Sequence, residues 1–432
     1  MSIESWGRYP KLPQQGVYPD WPSQLDSLQN TRLSEGFLPF GNGRSYGDSC
    51  LAESGTVLVM KGLNHFVQLD TERGVIRVEA GLTLGEILSV IVPLGWFLPV
   101  VPGTRLATVG GAIANDVHGK NHHVRGTFGN HVSRLWLWRE GQCIECSSTE
   151  NSELFRAAIG GLGLTGVILE AELRLMPVAN GQVDTITHRF DRLDEFFALA
   201  DQYDQSHEYG VAWIDCLSRG SNAGRGVYFA GNHARYESDI ATRQQQLTLP
   251  LTPPISLVNR LSLKAFNELY WHTKPSQPTT TRVPYLGYFF PLDGILHWNR
   301  MYGRAGFQQY QCVIPKANAE GAMAEILQAI AAANTGSFLA VMKRCGAVTS
   351  PGLLSFPLEG TSLALDFPNG NKLTTLFKRL DEITRVAGGR LYPAKDAHMS
   401  AADFQGAYLN WQQVEALRDP AICSHFWRRV TT

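Results

Sequence analysis

The sequence predicts an α+β protein of more than one domain, and three observations carry that prediction. The chain has 432 residues, a length that suggests two or three folding units at about 150 residues each. Up to about Pro177 it consists of short β-rich runs separated by glycine turns. From about Gly181 helix-period and strand-period segments alternate, and a strand–helix–strand theme appears twice, the pattern of one sheet covered by helices.

In chain order, residues 57–60, Phe66–Asp70 and Val75–Glu79 are β-rich runs. Residues 83–91 read as a helix, with Thr83 as N-cap and Glu86 three residues later completing a capping box. Residues 152–159 form a second short helix. After them Val167, Leu169, Ala171, Leu173 and Leu175 alternate with Glu170, Glu172 and Arg174, as in a strand with one buried face. Leu193, Phe196, Phe197 and Ala200 mark a later helix face, as do Met323, Ile326, Leu327 and Ile330, and then Leu373, Leu376, Phe377 and Leu380. The strand candidates beside them are 210–216, 227–230, 310–314, 338–343 and 362–366. Around 234–283 the texture breaks. A run of three glutamines, Leu249-Pro250-Leu251-Thr252-Pro253-Pro254 and Lys274-Pro275-Ser276-Gln277-Pro278 predict an irregular, mobile insert.

Composition excludes several classes. Hydrophobic residues at 44% and charged residues at 18% support a large core rather than disorder. A net charge of −1 lacks the basic face that general nucleic-acid binding requires. The seven cysteines are odd in number and scattered, which suits a reducing compartment. The first residues show no basic flank and apolar run, so no signal peptide is expected. The longest uncharged stretch, between Glu86 and Arg105, is broken by Pro93, Pro99 and Pro102 and is no membrane span. The expected location is the cytoplasm.

Gly161-Leu162-Gly163-Leu164-Thr165-Gly166 has the letters of a dinucleotide fingerprint but follows a helix and opens a strand, the reverse of the order that motif needs. It reads as a tight turn. Gly41-Asn42-Gly43-Arg44-Ser45-Tyr46-Gly47-Asp48 is more informative: its glycines free the backbone to aim successive N–H groups at an anion, and Ser45 and Arg44 add donors. Pro102-Gly103-Thr104 and Thr108-Val109-Gly110-Gly111-Ala112 supply two further small-residue segments, and three such loops suit a diphosphate threaded between strands. His118, His122 and His123, like Cys143 and Cys146, lack the spacing of a zinc enzyme, so no metal is assigned. Lys395 follows an apolar segment stiffened by Pro393, where a buried strand should emerge.

Taken together, GNGRSYGD, PGTRLATVGGAIANDVHGKNHH, GNHV, GGLGLTG and GRLYPAKD resemble the decaprenylphosphoryl-β-D-ribose oxidase group of the vanillyl-alcohol-oxidase-type (PCMH-type) flavoproteins. That resemblance implies a two-domain α+β flavoprotein: an FAD-binding domain of two small α+β subdomains and a substrate domain with a mainly antiparallel sheet covered by helices. Residues 1–178 would form the FAD domain, 179–389 the substrate domain with its insert at about 234–283, and 390–432 a segment returning to the FAD domain. FAD would be held by Pro39, Phe40, Gly41, Asn42, Gly43, Arg44, Ser45, Tyr46, Gly47, Asp48 and Ser49. Gly103, Thr108, Val109, Gly110, Gly111, Asn115, Asp116, Val117, His118, Val167 and Tyr392 would join them. Members of the superfamily often bond the flavin through a histidine just before the loop serine. Arg44 stands there, so FAD is expected to be non-covalent, a guanidinium being a poor nucleophile.

The group's reaction oxidises the 2′-hydroxyl of a polyprenyl-phosphoryl ribose to a ketone, which a short-chain dehydrogenase partner reduces with inverted configuration, in making a cell-wall polysaccharide precursor. By resemblance Lys395 and His118 are the catalytic residues, with Lys395 acting as base or as electrostatic clamp. Tyr46, Lys120, Trp213, Phe289, Gln309, Gln311, Lys343, Ser362 and Ala364 would bound the substrate, Trp213 serving equally well as core packing. Ser362 and Ala364 stand where mycobacterial members carry Asn and Cys, and Phe289 where they have a tyrosine. In the insert, Leu257, Val258, Leu261, Leu263, Phe266, Leu269, Tyr270 and Trp271 mix with Arg260, Lys264 and Lys274. They fit contact with the anionic inner leaflet of a membrane and a helix packed on its domain equally. Two alternatives stand beside this activity: oxidation of free polyols or aldonolactones, and a non-catalytic flavin-bearing subunit.

Overall fold

Short β-branched strands and glycine turns build the first part of the chain into two small sheets. The structure, a computed structural model, describes residues 3–236 and 246–432. Gln15–Val17, Thr56–Val59 and Leu38–Phe40 form a parallel sheet with Thr56–Val59 in the middle. Phe66–Asp70, Val75–Glu79, Val167–Arg174, Val132–Arg139 and Gln142–Ser147 form, in that order, an antiparallel sheet. The helix Leu84–Ile91 starts at Thr83, whose side chain accepts from Glu86 N while Glu86 reaches back to Thr83 N, the capping box read from the sequence. The turn Gly160–Gly166 joins the helix Ser152–Ala158 to the strand Val167–Arg174, with Gly160, Leu162, Gly163 and Gly166 at positive φ.

A larger antiparallel sheet follows. Its order is Thr279–Pro284, Gln182–Phe190, Gly226–His233, Tyr209–Ile214, Val341–Cys345, Gly360–Pro368, Phe307–Pro315 and Arg390–Leu391. The helices Leu193–Tyr203, Ala319–Ala333 and Leu373–Val386 pack on one face of it. The strand period of two then decides what each side chain does. Tyr310, Cys312, Leu363, Leu365, Phe367, Met342 and Ala212 bury against the helices, while Gln309, Gln311, Ser362, Ala364, Val341, Lys343 and Val211 point the other way, into a cavity.

After Arg390–Leu391 the chain leaves this sheet. Isolated bridges pair Phe37 with Ile422 and Ala52 with Ser424, and the helix His425–Thr431 packs on residues Asp48–Cys50.

Three sequence expectations change. The proline-dense stretch is irregular only in part: its runs 249–259 and 274–278 carry no helix or strand, but beside them lie the helix Arg260–His272, capped by Asn259, and the edge strand Thr279–Pro284. Residues 237–245, the rest of that expectation together with Gln244 and Gln245, lie outside the described residues. The strand expected at 338–343 runs over Val341–Cys345, because Ser337–Leu339 is held in a loop by the Ser337 hydroxyl. The strand Gln182–Phe190 was not expected at all, since its Thr, Asp and His residues do not alternate clearly with apolar ones. Among the described residues no helix is long and apolar enough to cross a membrane.

Candidate active site

The glycine loop is held by close backbone contacts that leave no room for a side chain. A Cβ on Gly47 would lie 1.7 Å from the carbonyl oxygen of Asp396, and one on Gly41 2.4 Å from Thr108 Oγ1. Gly43 has φ +60°, the left-handed region glycine tolerates best. Tyr46 N donates to Ala394 O (3.0 Å), Trp6 N to Ser45 O (2.8 Å) and Asn42 Nδ2 to Leu106 O (3.0 Å). The glycine loop, the 102–108 loop and the Lys395 segment are thereby one unit. Asp293 fastens a further segment to it, accepting from Thr104 Oγ1 and Arg105 N at 2.8 Å each.

These loops line a single deep cavity together with the far face of the large sheet. Pro39 to Tyr46, Ser49, Gly103, Thr108, Gly110, Gly111, Asn115, Val117, His118 and Tyr392 all contribute, as do Lys120, Phe289, Gln309, Gln311, Lys343, Ser362, Ala364 and Lys395. The other residues named from the sequence lie outside it. Asp48 is ion-paired to Arg429 (2.7 Å) beneath the loop, and Gly47 abuts Asp396. Asp116, fully buried, accepts from Gly129 N, Ser350 Oγ and Ser355 Oγ, a bracing role. Val109 and Val167 are core residues. Trp213 donates Nε1–H to Phe338 O (2.9 Å) and packs at a tilt against the Tyr270 ring, so it lies beyond the cavity wall. Cys143 and Cys146, three apart on the strand Gln142–Ser147, face opposite sides and are free thiols.

Several wall residues were not legible in the sequence. Trp6 lies over the Arg44 guanidinium at 4.2 Å, and Leu292, Asp293, Ile295, His297 and Trp298 also line the cavity. Asp366 is buried behind the wall, where its Oδ1 accepts from Gln309 Nε2 at 2.6 Å. None of these belongs to a motif, and lone carboxylates and aromatics carry no distinguishing spacing.

Electrostatically the cavity is short of negative charge. Lys120 Nζ donates to Tyr288 O and sits over the Tyr288 ring at 4.5 Å, while Lys343 Nζ donates to Gly119 O at 2.9 Å. Burial lowers Lys120 to about 7 and Lys343 to about 8, with Lys343 further depressing Lys120. Burial, and then Lys343, His122 and Lys395, push His118 well below the usual histidine range, so its ring is neutral. Gln311 Nε2 donates to His118 Nε2 (3.2 Å), which leaves the proton on Nδ1, a buried donor with no partner among the described residues. Lys395 Nζ lies 3.8 Å above the Tyr46 ring and is lowered to about 7 by burial, against the opposing pull of Asp366. Arg44 Nε and Ser49 Oγ are further buried polar atoms without partners among the described residues.

This donor set fits an adenine-dinucleotide flavin. A glycine loop with no room for a Cβ at Gly41, Gly43 and Gly47, with orphaned Ser49, Arg44 and His118 donors around it, is what a pyrophosphate and a polar ring system require. Comparison with known proteins agrees. Residues 29–147 match the FAD binding domain family. Decaprenylphosphoryl-beta-D-ribose oxidase of Mycolicibacterium smegmatis is 36% identical over 419 residues, covering 90% of this chain and 88% of that protein. The chain belongs to the decaprenylphosphoryl-β-D-ribose oxidase group of PCMH-type flavoproteins. It is an FAD-dependent oxidoreductase acting on CH–OH groups, with the two-domain α+β fold of that class. Shorter similarities reach Delta(24)-sterol reductase of Homo sapiens, 31% identical over 28% of this chain and 23% of that one. L-gulonolactone oxidase of Bos taurus is 30% identical over 38% of each.

Proposed function

We propose that this protein oxidises the 2′-hydroxyl of a polyprenyl-phosphoryl ribose to the 2′-keto form, as the first half of an epimerisation that a short-chain dehydrogenase partner completes. The observation that carries this reading is the Lys120–Lys343 pair: two buried lysine amines in one cavity, their proton affinity lowered by burial, with no carboxylate paired to either among the described residues. Such a pair invites an anion such as the substrate phosphate, since an unpaired buried charge is costly.

Oxidising CH–OH to C=O removes the hydroxyl proton and the carbon-bound hydrogen with its electron pair. Bound FAD supplies the acceptor for that hydrogen and its two electrons. The chain's own residues handle the rest. Lys395 takes the hydroxyl proton or holds the oxygen as an ammonium, neutral His118 donates Nδ1–H beside it, and Gln309, Gln311, Ser362, Ala364 and Phe289 bound the sugar. On this reading residues 1–178 and 390–432 seat a non-covalent FAD and residues 179–389 carry the substrate. Acid precipitation that releases all of the FAD supports the non-covalent state, and yellow colour kept in the pellet refutes it.

The prenyl chain has a surface to meet. Leu263, Asn267 and Trp271 bury one face of the helix Arg260–His272, leaving Leu261 and Leu269 exposed beside Arg260 and Lys264. We expect co-sedimentation with anionic vesicles; a protein that stays in the supernatant retires membrane contact.

Anaerobic mixing decides among the readings. Bleaching of the flavin by polyprenyl-phosphoryl ribose supports the proposal. Bleaching by free polyols or gulonolactone alone favours the second reading, to which the L-gulonolactone oxidase similarity points. No bleaching by any of them leaves a non-catalytic flavin subunit.

A further inference from the structure

The register of the large sheet places one more polar residue on the cavity face. On the strand Gly360–Pro368, Ser362 and Ala364 line the cavity, and Asp366 is next on the same face. It pairs across the ladder with Gln309, and the Gln309 amide donates to its carboxylate at 2.6 Å. The second N–H of that amide is left to donate to the Tyr46 hydroxyl oxygen, a Gln309 hydrogen bond that pulls the Tyr46 hydroxyl down against its burial. The Tyr46 ring in turn carries Lys395 Nζ at 3.8 Å. Asp366 is 1% exposed, and its backbone N–H is fixed by Ser337 Oγ (3.0 Å), so the carboxylate has little freedom to turn away.

We propose that Asp366 is the positioning residue of this site: its carboxylate is the counter-charge of Lys395 and, through Gln309, fixes the aromatic ring on which that amine rests. Beyond the neutral Gln309 amide, the Asp366 carboxylate has no hydrogen-bonded side-chain partner among the described residues, and Lys395 has no side-chain hydrogen bond among them, so each depends on the other's charge across the site. The two groups answer each other's need.

Several charged or titratable groups face the pair. Lys343, from the neighbouring strand, disfavours the Lys395 ammonium, and His118 feels the Lys395 charge in turn. Tyr46 and Tyr302 lie beside Asp366 and stay neutral, their hydroxyls pushed well above the usual range by burial. Burial brings Asp366 up to about 7 and Lys395 down to about 7, so the two titrate as a coupled pair. The negative carboxylate raises the amine's proton affinity, so removing it shifts the amine's titration to lower pH. Asp366 thereby sets the pH at which Lys395 passes between base and clamp.

The test reads Lys395 itself and needs no substrate. Competitive acetylation with acetic anhydride across a pH series, quantified peptide by peptide by mass spectrometry, gives a labelling midpoint for Lys395. It is run on the FAD-loaded protein and after FAD removal, with exposed Lys61 as internal reference. Asp366→Asn keeps an oxygen for Gln309 and loses the charge. The Lys395 midpoint should fall by about one pH unit, a tenfold change in proton affinity, while Lys61 stays put. Asp366→Glu, which restores the charge, should return it most of the way. If the Asn variant does not fold, Asp366→Ser, smaller and still an acceptor, carries the same expectation. An unchanged midpoint overturns the proposal, and so does a Lys395 that never labels in either form, because the argument requires an amine open to the cavity.

Discussion

Replacing Gly47 by alanine tests the idea that the glycine loop and the Lys395 segment share one rigid support. Gly47 has φ −112°, so left-handed strain is not at issue; the obstacle is space. The new methyl would sit 1.7 Å from the Asp396 carbonyl oxygen and 3.0 Å from Ala397 Cβ. Backbone cannot swing aside as a flexible side chain would, so the glycine loop and the Lys395 segment must separate. Separation strains the Tyr46 N–H to Ala394 O bond (3.0 Å) and the bridge in which Arg429 spans Asp48 (2.7 Å) and Asp396 (3.0 Å). Forcing extra atoms into a packed site costs about 1–3 kcal/mol, and if the loop gives way that amount appears as about a 5- to 150-fold weaker FAD Kd. The assay is titration of FAD fluorescence into the FAD-free protein, with a thermal melt of the same samples. Unchanged FAD affinity together with an unchanged melt would show that the two segments are not braced against each other.

Three further outcomes follow from the same geometry. Lys395→Met should keep FAD but slow flavin reduction by about 10²- to 10⁴-fold in stopped flow, the range for loss of a proton-transfer group. The parent's rate should show a limb near pH 7, where Lys395 titrates. The limb rises with pH if the neutral amine is the active form and falls if the ammonium is; a profile flat through pH 7 refutes both roles. Lys343→Met removes one of two buried cations and should raise KM for a phosphorylated substrate by about 10-fold or more, leaving KM for free polyols unchanged, as a charged hydrogen bond of about 1.5–3 kcal/mol requires. Inhibitors that work by bonding a cavity thiol should leave no adduct in an intact-mass spectrum. Ala364 offers no sulfur, and the cavity's Cys50 is pushed up to about 12 by burial and holds its proton.

Legibility in the sequence tracked how local the cause was. The Thr83–Glu86 capping box spans four residues, and the alternation from Val167 to Arg174 needs only its own strand; both were readable and both are present. The backward order of the Gly161–Gly166 motif likewise exposed it as a turn, although Leu162, Gly163 and Gly166 also line the cavity. Proline density misled at Arg260–His272, because Pro254 and Pro275 flank that helix without entering it, and Asn259 caps it cleanly.

What stayed hidden were groups whose role is set by a partner far along the chain. Asp366 acquires meaning from Gln309, 57 residues away, and Asp293 from Thr104, 189 residues away. Trp213 shows the converse. It has the parity of cavity-lining Val211 on its strand, yet its indole turns to Phe338 O, so parity brings a side chain to the right face without bringing it to the site. Strand alternation selects which residues can reach the cavity, and partners across the ladder select which of them do. The large sheet places Gln309 opposite Asp366 and Gln311 opposite Ala364, and those amides bond to Asp366 and His118 respectively. A shift of one residue between these two strands would exchange Gln309 for Tyr310 at that position and dissolve both links at once, which is why the geometry of the cavity wall depends on a register that no local motif encodes.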